Sequence, residues 1–244
     1  MESGIKVNVF ENISLLYEDN HIIVCIKPEG VLSQADRTKG EDMVSLIKKY
    51  LVVKYEKPGN AYVGLVHRLD KRVSGVMVFA KTSKAASRLA EAFRTNAVKK
   101  TYYAVATGNI TTDGTLKHRL KKVNEKTIVA KDGKDSTLDY KVLSHFTINK
   151  QDYTLVKVDL HTGRFNQIRA QFGLFKHPLI NDYKYGYKGK SSDDYSHIGL
   201  FCVGLSFTHP VTKQKLTFAY DRVLNRSEED WVRYFSNEVS RHEK

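Results

Sequence analysis

Strand-like runs follow one another in the second half of this 244-residue chain with few helices between them. Thr137–Leu143, Tyr153–Leu160, Phe201–Phe207 and Lys215–Tyr220 read as strands, and Ile22–Ile26, Val76–Ala80 and Lys100–Thr107 precede them. Helical spacing is confined to a few stretches. Met43, Ile47, Tyr50 and Leu51 line one face of Glu41–Tyr55. Ala85, Ala86, Leu89 and Phe93 line a helix capped by Thr82 or Ser83 and ending near Thr95. Ile168, Phe172 and Phe175 line Arg164–Lys176, and Ser227 opens a last helix carrying Trp231, Phe235 and Val239. Consecutive strands exclude a regular βαβ alternation and point to an α+β fold with a mainly antiparallel sheet. In Tyr153–Leu160, residues Thr154, Val156, Val158 and Leu160 are expected to face the core, with Tyr153, Leu155, Lys157 and Asp159 on a more polar face. Asp113–Lys134 is polar and basic and reads as a protruding hairpin or loop. No linker interrupts the pattern, so a short lead over residues 1–14 and a single domain over 15–244 are expected.

Charge narrows the partners. Lys and Arg total 40 against 27 Asp and Glu, a net +13. Such a field attracts polyanions, whether RNA, DNA or an anionic membrane face. A basic protein with no nucleic-acid partner has the same composition, and charge alone leaves both open. Cys25 and Cys202, each in an apolar run, exclude a disulfide scaffold and an all-cysteine zinc site. No apolar stretch approaches the roughly 20 residues that span a bilayer, and no signal peptide is visible at the start. A cytoplasmic protein is expected. Walker, G-x-G-x-x-G, H-E-x-x-H and C-x-x-C motifs are absent, so no metal or cofactor is expected.

Three polar clusters stand out. In the first, Asp70 lies among His67, Arg68, Lys71 and Arg72, and nearby cations favour an ionised, nucleophilic carboxylate. An acid that merely offsets local basic charge on a surface turn would look the same. In the second, Asn166 and Arg169 are three apart and share a polar helix face, from which Arg169 could hold a carboxylate or phosphate. A solvated helix face is the alternative. In the third, Tyr102 and Tyr103 follow Lys99-Lys100-Thr101 and point to opposite faces of a strand. One of the two rings could stack on a nucleobase, or serve as core.

In order, the clusters resemble the RluA-type pseudouridine synthase family from about Leu15 to about Tyr220. The segment from Leu16 to Val24 with Lys27-Pro28-Glu29-Gly30 is similar to the family's opening motif. His67-Arg68-Leu69-Asp70 with Ser74-Gly75 is similar to its catalytic motif. Lys100-Thr101-Tyr102-Tyr103-Ala104 with Gly108 resembles its tyrosine strand, and Thr162-Gly163-Arg164 with Gln167-Ile168-Arg169 its arginine motif. His177-Pro178-Leu179-Ile180, with Asp182, Tyr185 and Gly186, and then Phe207-Thr208-His209-Pro210 complete the series. Asn166, Gln171 and Phe201 stand where the family often has histidine, and Val73 where it usually has threonine. About 14 residues precede the opening motif, too few for the S4-type RNA-binding module many members carry in front.

The resemblance implies an isomerase that converts uridine in RNA to pseudouridine without cofactor or metal. It also implies a sheet flanked by helices and loops, with a central active-site cleft. Asp70 would act on the ribose, either by attacking C1′ or by assisting uracil departure. Arg169 would keep Asp70 ionised, and Tyr102 would stack on the uracil near C5. Arg68 would fill the gap left by the extracted nucleotide. RNA contacts would come from His67, Lys71, Arg72, Lys100, Arg164, Gln167 and the basic segment with Lys117, Arg119, Lys121 and Lys122. Large-subunit ribosomal RNA is the leading substrate and transfer RNA the runner-up. With no heptad seam, a monomer is expected. Two other readings stay open: a non-catalytic RNA-binding or assembly factor, and a hydrolase of another class using Asp70.

Overall fold

The computed structural model describes residues 9–10, 13–37, 40–148, 150–189 and 197–220. The expected helix opening at Ser227, and most of the 1–14 lead, lie outside these residues. Twelve strands and three α-helices are present among the described residues, which makes the α+β expectation correct. The chain divides into two compact units. One runs to Val98 and takes in Leu205–Phe218. The other comprises Lys99–Gly204 and the chain from Ala219.

In the first unit the strand order is β1 (Val9–Phe10), β2 (Ile13–Glu18), β3 (Ile22–Lys27), β5 (Ser74–Ala80), then the end of β11 (Leu200–Thr208). The short β4 (Gly64–Leu65) pairs with β5, and β12 (Lys215–Ala219) with β11. Every residue of β3 and β5 is buried, as a continuous apolar run covered on both faces requires. They pair antiparallel from Ile22 opposite Ala80 to Lys27 opposite Gly75. Helix α1 (Met43–Lys54) starts where the Asp42 carboxylate accepts the Ser45 amide, and it buries Met43, Ile47, Tyr50 and Leu51. Helix α2 (Ser83–Arg94) starts at Thr82, whose hydroxyl accepts the Ala85 amide. His209 closes the turn between β11 and β12. Its Nδ1 accepts the amides of Val211 and Thr212 at 3.2 and 2.9 Å.

One buried carboxylate ties this unit together. Glu18, at the end of β2, accepts from Tyr50 and Lys54 on one oxygen (2.7 Å each) and from Lys81 and Tyr55 on the other (2.6 and 2.8 Å). Burial opposes its ionisation. The bonds from Lys54, Lys81, Tyr50 and Tyr55 overcome that and hold its pKa at about 2.

The second unit is a sheet in the order β11, β6 (Lys99–Thr107), β10 (Gln151–Leu160), β9 (Lys134–Ile148), β7 (Gly114–Val123), β8 (Lys126–Val129), antiparallel from β6 through β8. The expected basic hairpin is β7 with β8, joined at Val123 opposite Lys126. Strand β9 runs 15 residues, well beyond Thr137–Leu143, because its flanks are polar and exposed yet still pair with β7 and β10. The polar face expected for Tyr153–Leu160 is core in its first half. Tyr153 and Leu155 pack with Tyr103, Val105, Ile180, Tyr187, Phe201 and Val203 in one apolar cluster. Phe201, where a histidine is common, is a member of that cluster. Helix α3 (Gln167–Leu174) is shorter than expected and begins at Asn166, whose φ of +49° is left-handed.

Candidate active site

The loop bearing Asp70 is pinned by its peptide groups. The Ser33 hydroxyl donates to the Leu69 carbonyl (2.7 Å) and accepts the Leu69 amide (3.0 Å). The Lys71 carbonyl accepts the Gly30 amide at 2.8 Å, and the Val73 amide donates to the Asp70 carbonyl at 3.1 Å. Gly30 has φ +77°, a conformation that residues with a side chain rarely adopt. Under this loop lies Lys27, completely buried. Its ammonium donates to the carbonyls of Pro28 (2.8 Å), Val31 (2.7 Å) and Lys71 (3.2 Å). Three acceptors match the three N–H groups of the charged form. Burial pushes the Lys27 pKa down to about 7, and the negative charges of Glu29 and Asp70 oppose that shift. A buried cation thus supports the Asp70 loop from below. Ser33 carries no mark in the linear pattern, and Lys27 stands in the opening motif with no sign of its burial, since a lysine at a strand end is ordinarily exposed.

Asp70 itself is half-buried, with Arg68 and Lys71 exposed on either side. His67 is tied inward. Its Nε2 accepts the Val78 amide at 3.1 Å, and its ring stacks on Phe93 at 4.4 Å. It braces the loop from the β5 side.

In the second unit the polar side of α3 is not solvated: Gln167, Arg169 and Gln171 are all buried. Arg169 donates from Nε and one Nη to the two carboxylate oxygens of Asp182, at 2.7 and 2.8 Å, in a bidentate fork. Asp182 has no exposed surface. The Tyr185 ring lies 5.2 Å from the guanidinium carbon. The Tyr185 hydroxyl accepts from Asn166 Nδ2 (3.2 Å) and the Thr127 amide (2.9 Å). Asn166 therefore helps hold the ring that supports Arg169. Asparagine and histidine are both enriched at positive φ, so either residue suits this backbone. Gln167 spends its amide on Thr162, Arg164, Thr137 and Gln171, fixing the Thr162-Gly163-Arg164 turn. Gln171 donates to the Leu116 and Ser136 carbonyls, tying α3 to β7 and β9.

Tyr102 and Tyr103 point to opposite faces of β6, as expected, and both are buried. Tyr103 belongs to the apolar cluster. Tyr102 is hydrogen-bonded to the thiol of Cys202, whose pKa burial raises to about 12. Lys100 shares the Tyr102 face and is buried, and Arg164 is exposed nearby. Lys117, Arg119 and Lys121 stand at alternate positions on the exposed face of β7. They are partly neutralised: Arg119 lies 3.9 Å from Asp135, and Lys121 is paired with Asp132. Lys122 projects to the other side, 4.3 Å from the centre of the Phe165 ring. No group of three or more metal-ligating side chains occurs among the described residues.

The family model described as RNA pseudouridylate synthase matches residues 21–173, a span containing Asp70, Tyr102 and Arg169. The chain belongs to the RNA pseudouridylate synthase family. It is 33% identical over 225 residues to ribosomal large subunit pseudouridine synthase D of Vibrio cholerae, covering 84% of this chain and 66% of that protein. It is 30% identical over 227 residues to tRNA pseudouridine synthase C of Pasteurella multocida, covering 84% and 89%. The chain thus spans just under two thirds of the length of the first relative. Among solved structures, human RNA pseudouridylate synthase domain containing 1 matches with a TM-score of 0.69 at 22% identity, over 96% of this chain and 97% of that one. That likeness makes the fold a pseudouridine synthase fold. No helix among the described residues is long and apolar enough to cross a membrane.

Proposed function

We propose that this pseudouridine synthase family member isomerises a uridine within RNA to pseudouridine. The observation that carries the reading is the family match, which spans Asp70, Tyr102 and Arg169 in order, joined to the rigid buried setting of Arg169. Asp70 drives cleavage of the bond between N1 and C1′. The detached uracil turns against the Tyr102 ring, C5 bonds to C1′, and the C5 proton leaves while N1 gains one. Substrate and product are isomers, so no oxidant or energy source enters. In this reading Arg169, fixed by Asp182, is the cation that keeps the Asp70 carboxylate ionised, because an uncompensated carboxylate away from water would become neutral. Arg68 fills the gap in the RNA stack, at a saving against an unstacking cost of a few kcal/mol. Lys71, Arg72 and the β7 stripe bear on phosphates, and the protein works as a monomer in the cytoplasm.

Large-subunit ribosomal RNA is the proposed substrate, supported by the name of the Vibrio cholerae relative. Transfer RNA is the second reading, favoured by the 89% coverage of the Pasteurella multocida relative. Mapping pseudouridine in both RNA fractions, with and without the gene, tests the proposal. Loss of a site in one fraction names the substrate. Unchanged maps, together with no product in vitro from either RNA, would refute the activity. Light scattering on the purified chain tests the monomer.

A further inference from the structure

Among the described residues, buried cations are matched to acceptors, with one exception. Lys27 has three carbonyls, Lys81 has Glu18, and Arg169 has Asp182. Lys100 is 6% exposed, and no protein group among the described residues accepts a hydrogen bond from its ammonium. Among the described residues none supplies it with a counter-charge. Asp159, the acid nearest in register, sits opposite Thr101, accepts from its hydroxyl at 3.1 Å and lies 3.9 Å from Lys99, so it serves the other face of β6. Cys202 is a buried thiol that stays protonated at neutral pH. The remaining charge acting on Lys100 is positive, from Arg164. A Cβ on Gly163 would stand 3.5 Å from the ammonium nitrogen, so the Thr162-Gly163-Arg164 turn lies directly against it.

A buried cation without a partner is costly, and a second cation beside it adds to the cost. The arrangement is stable when an anion arrives from outside to bind both. The position indicates which anion. Lys100 and Tyr102 are two residues apart on one strand face, about 7 Å along it. We propose that Lys100 and Arg164 form a phosphate subsite that takes one RNA backbone phosphate beside the nucleotide stacked on Tyr102. The proposal rests on the RNA-modifying reading and adds the group that holds the target nucleotide by its phosphate. Burial lowers the pKa of Lys100, so its amine is more nucleophilic near neutral pH than a surface lysine. Phosphate binding favours the protonated form and covers it.

Competitive acylation of the intact chain, read by mass spectrometry at Lys100, tests this. Uridine 5′-monophosphate and uridine 3′-monophosphate are the probes, with uridine as the control lacking phosphate and Lys99 as the internal reference. One nucleotide is expected to slow acylation of Lys100 about fivefold at four times its dissociation constant, leaving Lys99 unchanged. The 5′ and 3′ arms tell which phosphate is held, and Arg164→Gln weakens the protection. Equal protection by uridine, or none by either nucleotide, would overturn the subsite. A second readout does not depend on labelling. Lys100→Met should lower the slope of log affinity for single-stranded RNA against log salt by about 0.7, one phosphate's worth, whereas Lys100→Arg restores it. An unchanged slope in Lys100→Met would also overturn the subsite. If the protein protects Lys100 but forms no pseudouridine, the reaction falls and the subsite stands. If it forms pseudouridine without protection, the reverse holds.

Discussion

Arg169 and Asp182 are joined by two parallel hydrogen bonds of 2.7 and 2.8 Å, with Arg169 nearly and Asp182 wholly out of solvent. The fork fixes the plane of the guanidinium and engages two of its five N–H donors. Asp182→Asn keeps the shape but loses one acceptor and the negative charge. We expect kcat to fall about 10- to 100-fold, the range for misplacement of a positioned group, with RNA affinity little changed. Single-turnover kinetics would check this, and an unaltered kcat would remove Asp182 from the machinery.

Asp70→Asn should abolish turnover and leave RNA affinity within about twofold, because it changes the reacting group and not the basic surface. Binding by anisotropy beside a product assay separates the two. Measurable product from the purified variant would exclude Asp70 as the essential carboxylate.

Removing Glu18 should be felt as stability. Glu18→Gln leaves Lys54 and Lys81 short of a charged acceptor, and we expect a loss of about 2–3 kcal/mol in urea unfolding. The pKa of Glu18 is lowered on folding, so its contribution is complete above the ordinary carboxylate range and lost as pH falls through about 2. Wild type should lose stability between about pH 4.5 and 2 more steeply than Glu18→Gln. Parallel profiles would show that Glu18 is not linked.

Asn166 is a backbone test. Asn166→Gly and Asn166→His should be tolerated at φ +49°, whereas Asn166→Val should cost about 1–2 kcal/mol. Equal stability of all three would contradict the assigned conformation.

The basic stripe of β7 predicts salt dependence. Surface ion pairs such as Arg119 with Asp135 are worth little, so phosphates can displace them. If about five phosphates are neutralised, RNA affinity falls roughly 100-fold between about 50 and 200 mM salt. Lys117→Glu with Lys121→Glu should flatten that slope, and a double variant with the wild-type slope would move RNA binding elsewhere.

The elements with strong periodicity were legible before the structure. Strands β3 and β5, helices α1 and α2 and the alternation of Tyr102 and Tyr103 followed from spacing and caps. Strand β2 has no sequence signal because Leu15, Leu16 and Tyr17 make no clean alternation, and β4 has none because two residues carry no period. The motif residues of the candidate site, Lys27 and Asp182 among them, were visible, but which residue supports which was not. Asp182 is 13 residues from Arg169, Ser33 is 36 from Leu69, and Lys27 is 44 from Lys71. No local pattern reports a partner at such range. The buried polar side of α3 was equally hidden, because glutamine and arginine ordinarily mark a solvated face.

If the proposed function holds, the Lys27 ammonium bears on which partner moves when RNA arrives. By gripping the turn after β3 and the Lys71 carbonyl together, it leaves the peptide around the carboxylate no slack with which to fold over a guest. On the proposed reading, shape change then falls to the RNA, which would present its uridine already turned out to a loop that does not yield. Targets that unstack easily would be selected before any base is read.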